Sequence, residues 1–594
     1  MIIKRITTLI SLTLLMACSS SGEPGAASIP LRVETTSGSV SAEVDATVAT
    51  WRDIPYAQPP VGELRWRAPR PINTPLNAIN ERDGVACVQK ASNVGGVPGE
   101  GIVGIEDCLY LDIKAPLMSN PGDPLPVMFW IHGGGNTAGY KGYYDFSILV
   151  DTQQVIVVTF NYRLGLLGWF SHPSVQKGAD GLDRSSNFGT LDIIAALKWV
   201  QKNIGAFGGD VDNVTIFGES AGGHNVFAML ASPLSEGLFH KAISQSGYLE
   251  TATVDEAINV GGAHPRMRRS SSQLFGAMVD SGALRDASTR SIYGVSAVTL
   301  MEHYLALDGE GDIPLTTADG IVIPTAGMLA ALGDSANAKS IPVIAGANRD
   351  EVTLWLGTHR YFVDANYPFT RLLPPRLKLK DPQLYSFWTR IRSQAWKLRG
   401  VDEPLSAMEE AGYPALYAYR FDWDDQEKSF FADFPKLIGA AHGIDIAFVT
   451  GEFTYGPISS YVYPEGESRE QMRELMMSAW AAFARTGAPK LPVEWPAFSA
   501  SERSFVHLDV GDSLGAANDS STMASLLDEA GRSKLLAGKE LCLLVWDTLV
   551  RIGEPDYATY TSWDEGRCSQ VDAEAEHAAI NRAIIAEFGS TNVL

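Results

Sequence analysis

Thr215-Ile216-Phe217-Gly218-Glu219-Ser220-Ala221-Gly222-Gly223 is the stretch of this 594-residue chain on which its reading turns. Apolar β-formers run into a Gly-x-Ser-x-Gly, with Ala and Gly behind the serine. A strand that turns sharply into a helix holds the serine at the corner, with its hydroxyl clear of the backbone, as a nucleophile requires. Five residues taken alone fit an ordinary tight turn as well. The surrounding sequence separates the two readings.

Leu125–Ile131 is an apolar run that ends at His132-Gly133-Gly134-Gly135, and residues 155–160 form a second, β-branched run. Both read as strands buried on two faces, as in a sheet covered by helices. Over residues 191–204 the positions Ile193, Ile194, Leu197, Val200 and Ile204 mark one helix face. Residues 214–217 read as strand and 221–230 as helix; 242–244 and 341–345 read as further buried strands. Residues 471–483 predict a helix. This alternation predicts an α/β fold: a central, mostly parallel sheet flanked by helices. The less regular segment 255–310, rich in Ser, Arg and Asp, predicts a cap-like insertion.

A serine hydroxyl needs a base to take its proton and an acid to orient that base. In elbow folds the chain order is serine, acid, histidine, which leaves His359, His442, His507 and His577. His442 sits between Gly439-Ala440-Ala441 and Gly443, small neighbours that let a loop bring an imidazole close. His507 reads as a strand residue and His577 as part of a solvated helix face. The acid belongs on a loop after a strand, and Gly346-Ala347-Asn348-Arg349-Asp350-Glu351 follows one; the pattern leaves Asp350 and Glu351 open. Glycines after His132 allow backbone N–H groups to converge on a developing alkoxide, with the N–H of Ala221 as the other donor. No Walker lysine and no dinucleotide-type Gly-x-Gly-x-x-Gly is present, so a nucleotide cofactor is not expected. Nor is a metal.

A formal net charge of −22 with no basic stripe argues against nucleic-acid binding. Lys4 and Arg5 precede an apolar run over residues 6–16, too short to span a bilayer and right for a secretory leader. It ends Leu15-Met16-Ala17-Cys18 and resembles a bacterial lipobox. The expectation is a signal peptide over 1–17, a lipidated Cys18, a Ser/Gly/Pro/Ala tether over 18–28 and one domain over 29–594. The protein would then be exported and held at the bacterial cell envelope by its lipid alone. An ordinary leader cut nearby is the competing reading. Of five cysteines, removing Cys18 leaves an even four, which suits an oxidising compartment.

Further motifs fall in a recognisable order. They are Ile54-Pro55-Tyr56-Ala57 with Pro59-Pro60-Val61-Gly62, Glu106-Asp107-Cys108-Leu109-Tyr110-Leu111, Asn161-Tyr162-Arg163-Leu164-Gly165 and Ala206-Phe207-Gly208-Gly209-Asp210. Gln245-Ser246-Gly247, His442-Gly443 and Phe483-Ala484-Arg485-Thr486-Gly487 follow the elbow. Together with it, the chain resembles the type-B carboxylesterases, the group that includes cholinesterases, over residues 30–510. The resemblance implies the α/β-hydrolase fold and hydrolysis of small-molecule carboxylic esters. It implies Ser220 as nucleophile, His442 as base and Glu351, not Asp350, as acid. It also implies oxyanion donors at Gly134, Gly135 and Ala221, and a Cys87–Cys108 disulfide. Cys542 and Cys568 match no family position, and only parity suggests that they pair. Two departures stand out: Asn136 replaces the usual aromatic after the glycines, and residues 88–107 hold no aromatic to receive a choline. A non-catalytic binding module on the same fold is the alternative, but such modules typically lose the serine. Oligomeric state is not legible.

Overall fold

The computed structural model describes residues 27–593 apart from 83, 94, 120–122, 259–269, 308–315 and 368–373. The expected leader, Cys18 and the tether as far as residue 26 lie outside the described residues. Ala27–Ser28, expected in the tether, instead pairs antiparallel with Met118–Ser119.

Eleven strands form the main sheet: β1 (Glu43–Asp45), β2 (Val48–Pro55), β3 (Tyr110–Pro116), β4 (Leu125–Ile131), β5 (Ile156–Phe160), β6 (Gly209–Glu219), β7 (Lys241–Gln245), β8 (Val343–Asn348), β9 (Leu416–Phe421), β10 (Ser504–Leu508) and β11 (Gly515–Asn518). Their order is β11-β10-β9-β8-β7-β6-β4-β5-β3-β2-β1. From β5 to β10 every pairing is parallel. Both flanks are antiparallel. This is the α/β fold that the alternation of strand and helix predicts, in the α/β-hydrolase form that the family resemblance implies. Of the parallel strands, β5, β7 and β8 are buried from end to end, as expected of a sheet covered by helices on both faces.

The helices used below are α1 (Phe188–Asn203), α2 (Ala221–Ala231), α3 (Ser271–Asp280), α4 (Pro382–Lys397), α5 (Glu403–Ala411), α6 (Glu467–Thr486), α7 (Met523–Arg532), α8 (Gly538–Leu549) and α9 (Ala573–Phe588). β6 begins five residues earlier than its apolar run, because Gly209 already pairs with Leu125 before a register shift. In the 255–310 segment three of the seven serines are helix N-caps. Ser270 accepts from Gln273 N, Ser288 from Ser291 N and Ser296 from Thr299 N, each satisfying an orphan donor of a first turn. His507 lies in β10, hydrogen-bonded through Nδ1 to Asp422 at 2.6 Å. His577, expected on a solvated face, is half-buried on α9 with its ring 6.3 Å from that of Trp546.

Candidate active site

β6 ends at Glu219 and α2 begins at Ala221, so Ser220 alone makes the turn. Its φ of 60° and ψ of −122° are a strained conformation for a side chain with a Cβ. The surroundings hold it there: Ser220 N donates to Gln245 O at 2.9 Å and His224 N to Ser220 O at 2.9 Å. The flanking glycines are steric requirements. A Cβ on Gly218 would stand 2.5 Å from Ile131 O, and one on Gly222 only 2.0 Å from the same oxygen. The crossing of β4 against the start of α2 has no room for side chains.

The glycine turn after β4 lies against this corner. A Cβ on Gly133 would meet Glu219 O at 2.7 Å and Ser220 Cβ at 3.1 Å. Gly134 and Gly135 have φ of 93° and 63°, values that favour glycine. Among the described residues, no hydrogen bond is donated by the backbone N–H groups of Gly134, Gly135 or Ala221. Ala221 also opens an eleven-residue helix, whose N-terminus favours negative charge. Asn136, at φ 58°, is buried and turned into the scaffold. Its Oδ1 accepts from Asn225 Nδ2 at 2.8 Å, and its carbonyl accepts from Gly165 N at 2.7 Å.

The loop after β8 separates the two acids that sequence left open. Asp350 turns away: its Oδ2 accepts from Arg349 at 2.8 and 3.0 Å and from Ala440 N at 3.1 Å, tying it to the segment before His442. Glu351 is fully buried, and its Oε2 lies 2.5 Å from His442 Nδ1. Its other oxygen accepts from Asn348 N at 2.7 Å, and its carbonyl accepts from His442 N at 3.2 Å. Asn348 Nδ2 holds the histidine loop from below, donating to Ala441 O at 2.6 Å.

His442 Nε2 lies 3.2 Å from Glu219 Oε1, and among the described residues it makes no hydrogen bond. Glu219 lies within the elbow motif, but its spacing carries no signal of a role. Asp445, three residues after His442, completes a buried acidic group, bound to Gln245 Nε2 at 2.7 Å and Asn348 Nδ2 at 3.1 Å. Burial alone would lower the His442 pKa, but the carboxylates of Glu219, Glu351 and Asp445 outweigh it and raise it to about 9. Burial pushes Glu219 up to about 8 against the pull of His442, and Asp445 and Glu351 add to the rise.

Two indoles flank the imidazole: the ring of Trp355 lies 5.0 Å from it and that of Trp396 5.1 Å. They stack on each other at 5.8 Å. Neither tryptophan carries a sequence signal, because what joins them to His442 is contact across long separations. Cys87 and Cys108 form a disulfide, and Cys542 bonds Cys568. Among the described residues no cluster of His, Cys, Asp and Glu could hold a metal ion.

The model of the carboxylesterase family matches residues 30–365 and 397–524. The chain belongs to the carboxylesterase family. It is 33% identical over 492 residues to the para-nitrobenzyl esterase of Bacillus subtilis, covering 80% of this chain and 94% of that protein. It is equally identical to the fumonisin B1 esterase of Sphingopyxis macrogoltabida, over 80% of this chain and 87% of that one. Among solved structures, a thermophilic para-nitrobenzyl esterase superposes with a TM-score of 0.65 at 28% identity, over 83% of this chain and 99% of that one. This carboxylesterase is therefore a carboxylic-ester hydrolase. Residues 366–396, with α4 up to Trp396, and residues beyond 524, with most of α7 and with α8 and α9, lie outside the family match.

Proposed function

We propose that this carboxylesterase cleaves small-molecule esters through an acyl-enzyme on Ser220. Ser220 Oγ attacks the ester carbonyl while His442 Nε2 takes its proton. Glu351 holds Nδ1, fixing the tautomer and stabilising the imidazolium. The N–H groups of Gly134, Gly135 and Ala221 receive the developing oxyanion. The imidazolium then protonates the departing alkoxide, and water activated by the same histidine releases the acid. The observation that carries this reading is the 2.5 Å contact of buried Glu351 with His442, beside a serine held at φ 60°. His442 Nε2 makes no hydrogen bond among the described residues, and the hydrogen bonds of a catalytic base commonly tighten only when substrate is bound. The names of relatives, para-nitrobenzyl esterase and fumonisin B1 esterase, are consistent with a family that accepts varied esters.

A fluorophosphonate probe with peptide mapping tests the nucleophile. The adduct is expected on Ser220, and Ser220→Ala is expected to lose labelling and at least about 10⁴-fold in kcat. Labelling that persists on Ser220→Ala overturns the assignment. A folded wild-type protein that neither labels nor hydrolyses any ester returns the reading to a binding module.

A further inference from the structure

We propose that Asn136 and Asn225 are positioning residues for ester cleavage: the hydrogen bond between their side chains sets the spacing of the two halves of the oxyanion site. This rests on the catalytic reading above. In that reading the developing oxyanion is received from two sides, by Gly134 and Gly135 on the turn after β4 and by Ala221 at the start of α2. The two elements are far apart in sequence, and such donors stabilise a transition state only as well as their spacing is held beforehand.

A run of three glycines cannot hold that spacing by itself. It has no side chains, and glycine loses more backbone freedom on ordering than any other residue. Residue 136 is the first after the run that can fasten it, since Thr137 turns its hydroxyl back onto Gly134 O at 3.4 Å. Asn136 keeps a φ of 58°, a left-handed conformation that asparagine tolerates better than most residues with a Cβ. From there its carbonyl accepts from Gly165 N at 2.7 Å and its side-chain oxygen from Asn225 Nδ2 at 2.8 Å. Both asparagines are buried, where a hydrogen bond is strong and its loss costly.

The place of Asn225 is what makes the bond bear on the chemistry. It stands four residues after Ala221, one turn along α2. A slide of the glycine turn against the start of that helix must therefore stretch the Asn136–Asn225 bond. Other contacts fix the turn elsewhere. Tyr162, two residues beyond β5, donates its hydroxyl to His132 O at 2.6 Å, and its ring stacks on that of His132 at 4.3 Å. Buried Gln89 holds Gly139 with both ends of its amide, at 2.9 and 3.0 Å. These anchor residues 132 and 139 at either end of the turn. Among these contacts, the one between Asn136 and Asn225 is the one that reaches α2.

Asn136→Gly and Asn225→Ala each remove the bond, and the first leaves a positive φ unstrained. Each is expected to lower kcat on para-nitrophenyl acetate by about ten- to hundredfold with KM within about twofold, because acylation and deacylation both pass through an oxyanion. Affinity for a trifluoromethyl ketone should fall by the same factor. Its carbonyl carbon bonds Ser220 Oγ, its oxygen becomes the oxyanion, and His442 takes the serine proton. The double variant should be no worse than the worse single one, since both act through one bond. The acid limb of kcat/KM should stay in place, because His442 and its carboxylates are untouched. Unchanged kcat and ketone affinity in Asn136→Gly would overturn the proposal. So would losses that multiply in the double variant, or a fall in kcat with ketone affinity intact, as a merely structural role would give. If Asn136→Gly fails to fold, Asn225→Ala, which places a strong helix former within α2, carries the same test. Fluorophosphonate labelling of Ser220 in the wild type, run in parallel, separates failure of this bond from failure of the hydrolase reading, since an unlabelled wild type would remove both.

Discussion

Glu219 stands where a charge is hard to keep: fully enclosed, 3.2 Å from His442 Nε2, with Asp445 and Glu351 nearby. Three carboxylates around one imidazole keep a proton on it, so the base is in its inactive form up to a pH above the ordinary histidine value. The acid limb of kcat/KM, which reports the free enzyme, is therefore expected to lie above pH 6.5, the unperturbed histidine pKa. Glu219→Gln removes one of the charges that raise the histidine, so its pKa falls and neutral imidazole persists to lower pH. The limb should move to lower pH by roughly one unit. The plateau should fall by about tenfold, because the same carboxylate stabilises the imidazolium formed in the transition state. A limb that stays in place or rises would show that Glu219 is neutral while His442 titrates, and would remove its electrostatic role.

At the scale of elements, the elbow works because β4, β6 and α2 meet with no side chains between them. Gly222→Ala puts a methyl 2.0 Å from Ile131 O, and relief requires α2 to shift at the residue that carries the Ala221 N–H. A loss of about 2 kcal/mol or more in stability is expected, together with a fall in kcat; a scanning thermal midpoint and steady-state rates measure both. Gly276→Ala is the control of opposite sign. It lies inside α3 with nothing within 4 Å, so it should stabilise by up to about 1 kcal/mol. An unchanged midpoint for Gly222→Ala would mean that the corner is more pliant than its contacts imply. These same features made the elbow legible: glycines forced by close approach recur at fixed spacing, and a parallel strand writes itself as an apolar run. His442 stood out for the same reason, since small residues must surround a loop that approaches a strained corner. Asp350 and Glu351 could not be separated by pattern, because adjacent residues share every local cue and differ only in direction. Trp396 and the π turn Leu398–Asp402 left no trace, for their cause is Gly247, far away in sequence, and a helix that packs on the far end of the chain.

Over the whole molecule, we propose that an acidic body is held at a membrane through lipid on Cys18. Its formal charge of −22 opposes approach to anionic lipid, so electrostatics cannot supply attachment. Among the described residues no helix is long and apolar enough to cross a membrane. The fold is pinned at Ala27–Ser28 by its pairing with Met118–Ser119, and the chain between Cys18 and Ala27 can span at most roughly 30 Å. If Leu15-Met16-Ala17-Cys18 is processed as a lipobox, acyl chains on Cys18 must provide the whole of the membrane affinity, and more than one chain is needed for stable anchoring. Intact mass of the protein extracted with detergent from a bacterial host should show a di- or triacylated N-terminus at Cys18. Cys18→Ser should move the enzyme from the membrane fraction to the soluble one. Its kcat/KM on a water-soluble ester should be unchanged, since the substitution lies far along the chain from Ser220. An unmodified N-terminus downstream of Cys18 would show an ordinary secreted enzyme. A Cys18→Ser protein that stays with the membrane would show a second attachment, which the acidic body would then have to provide.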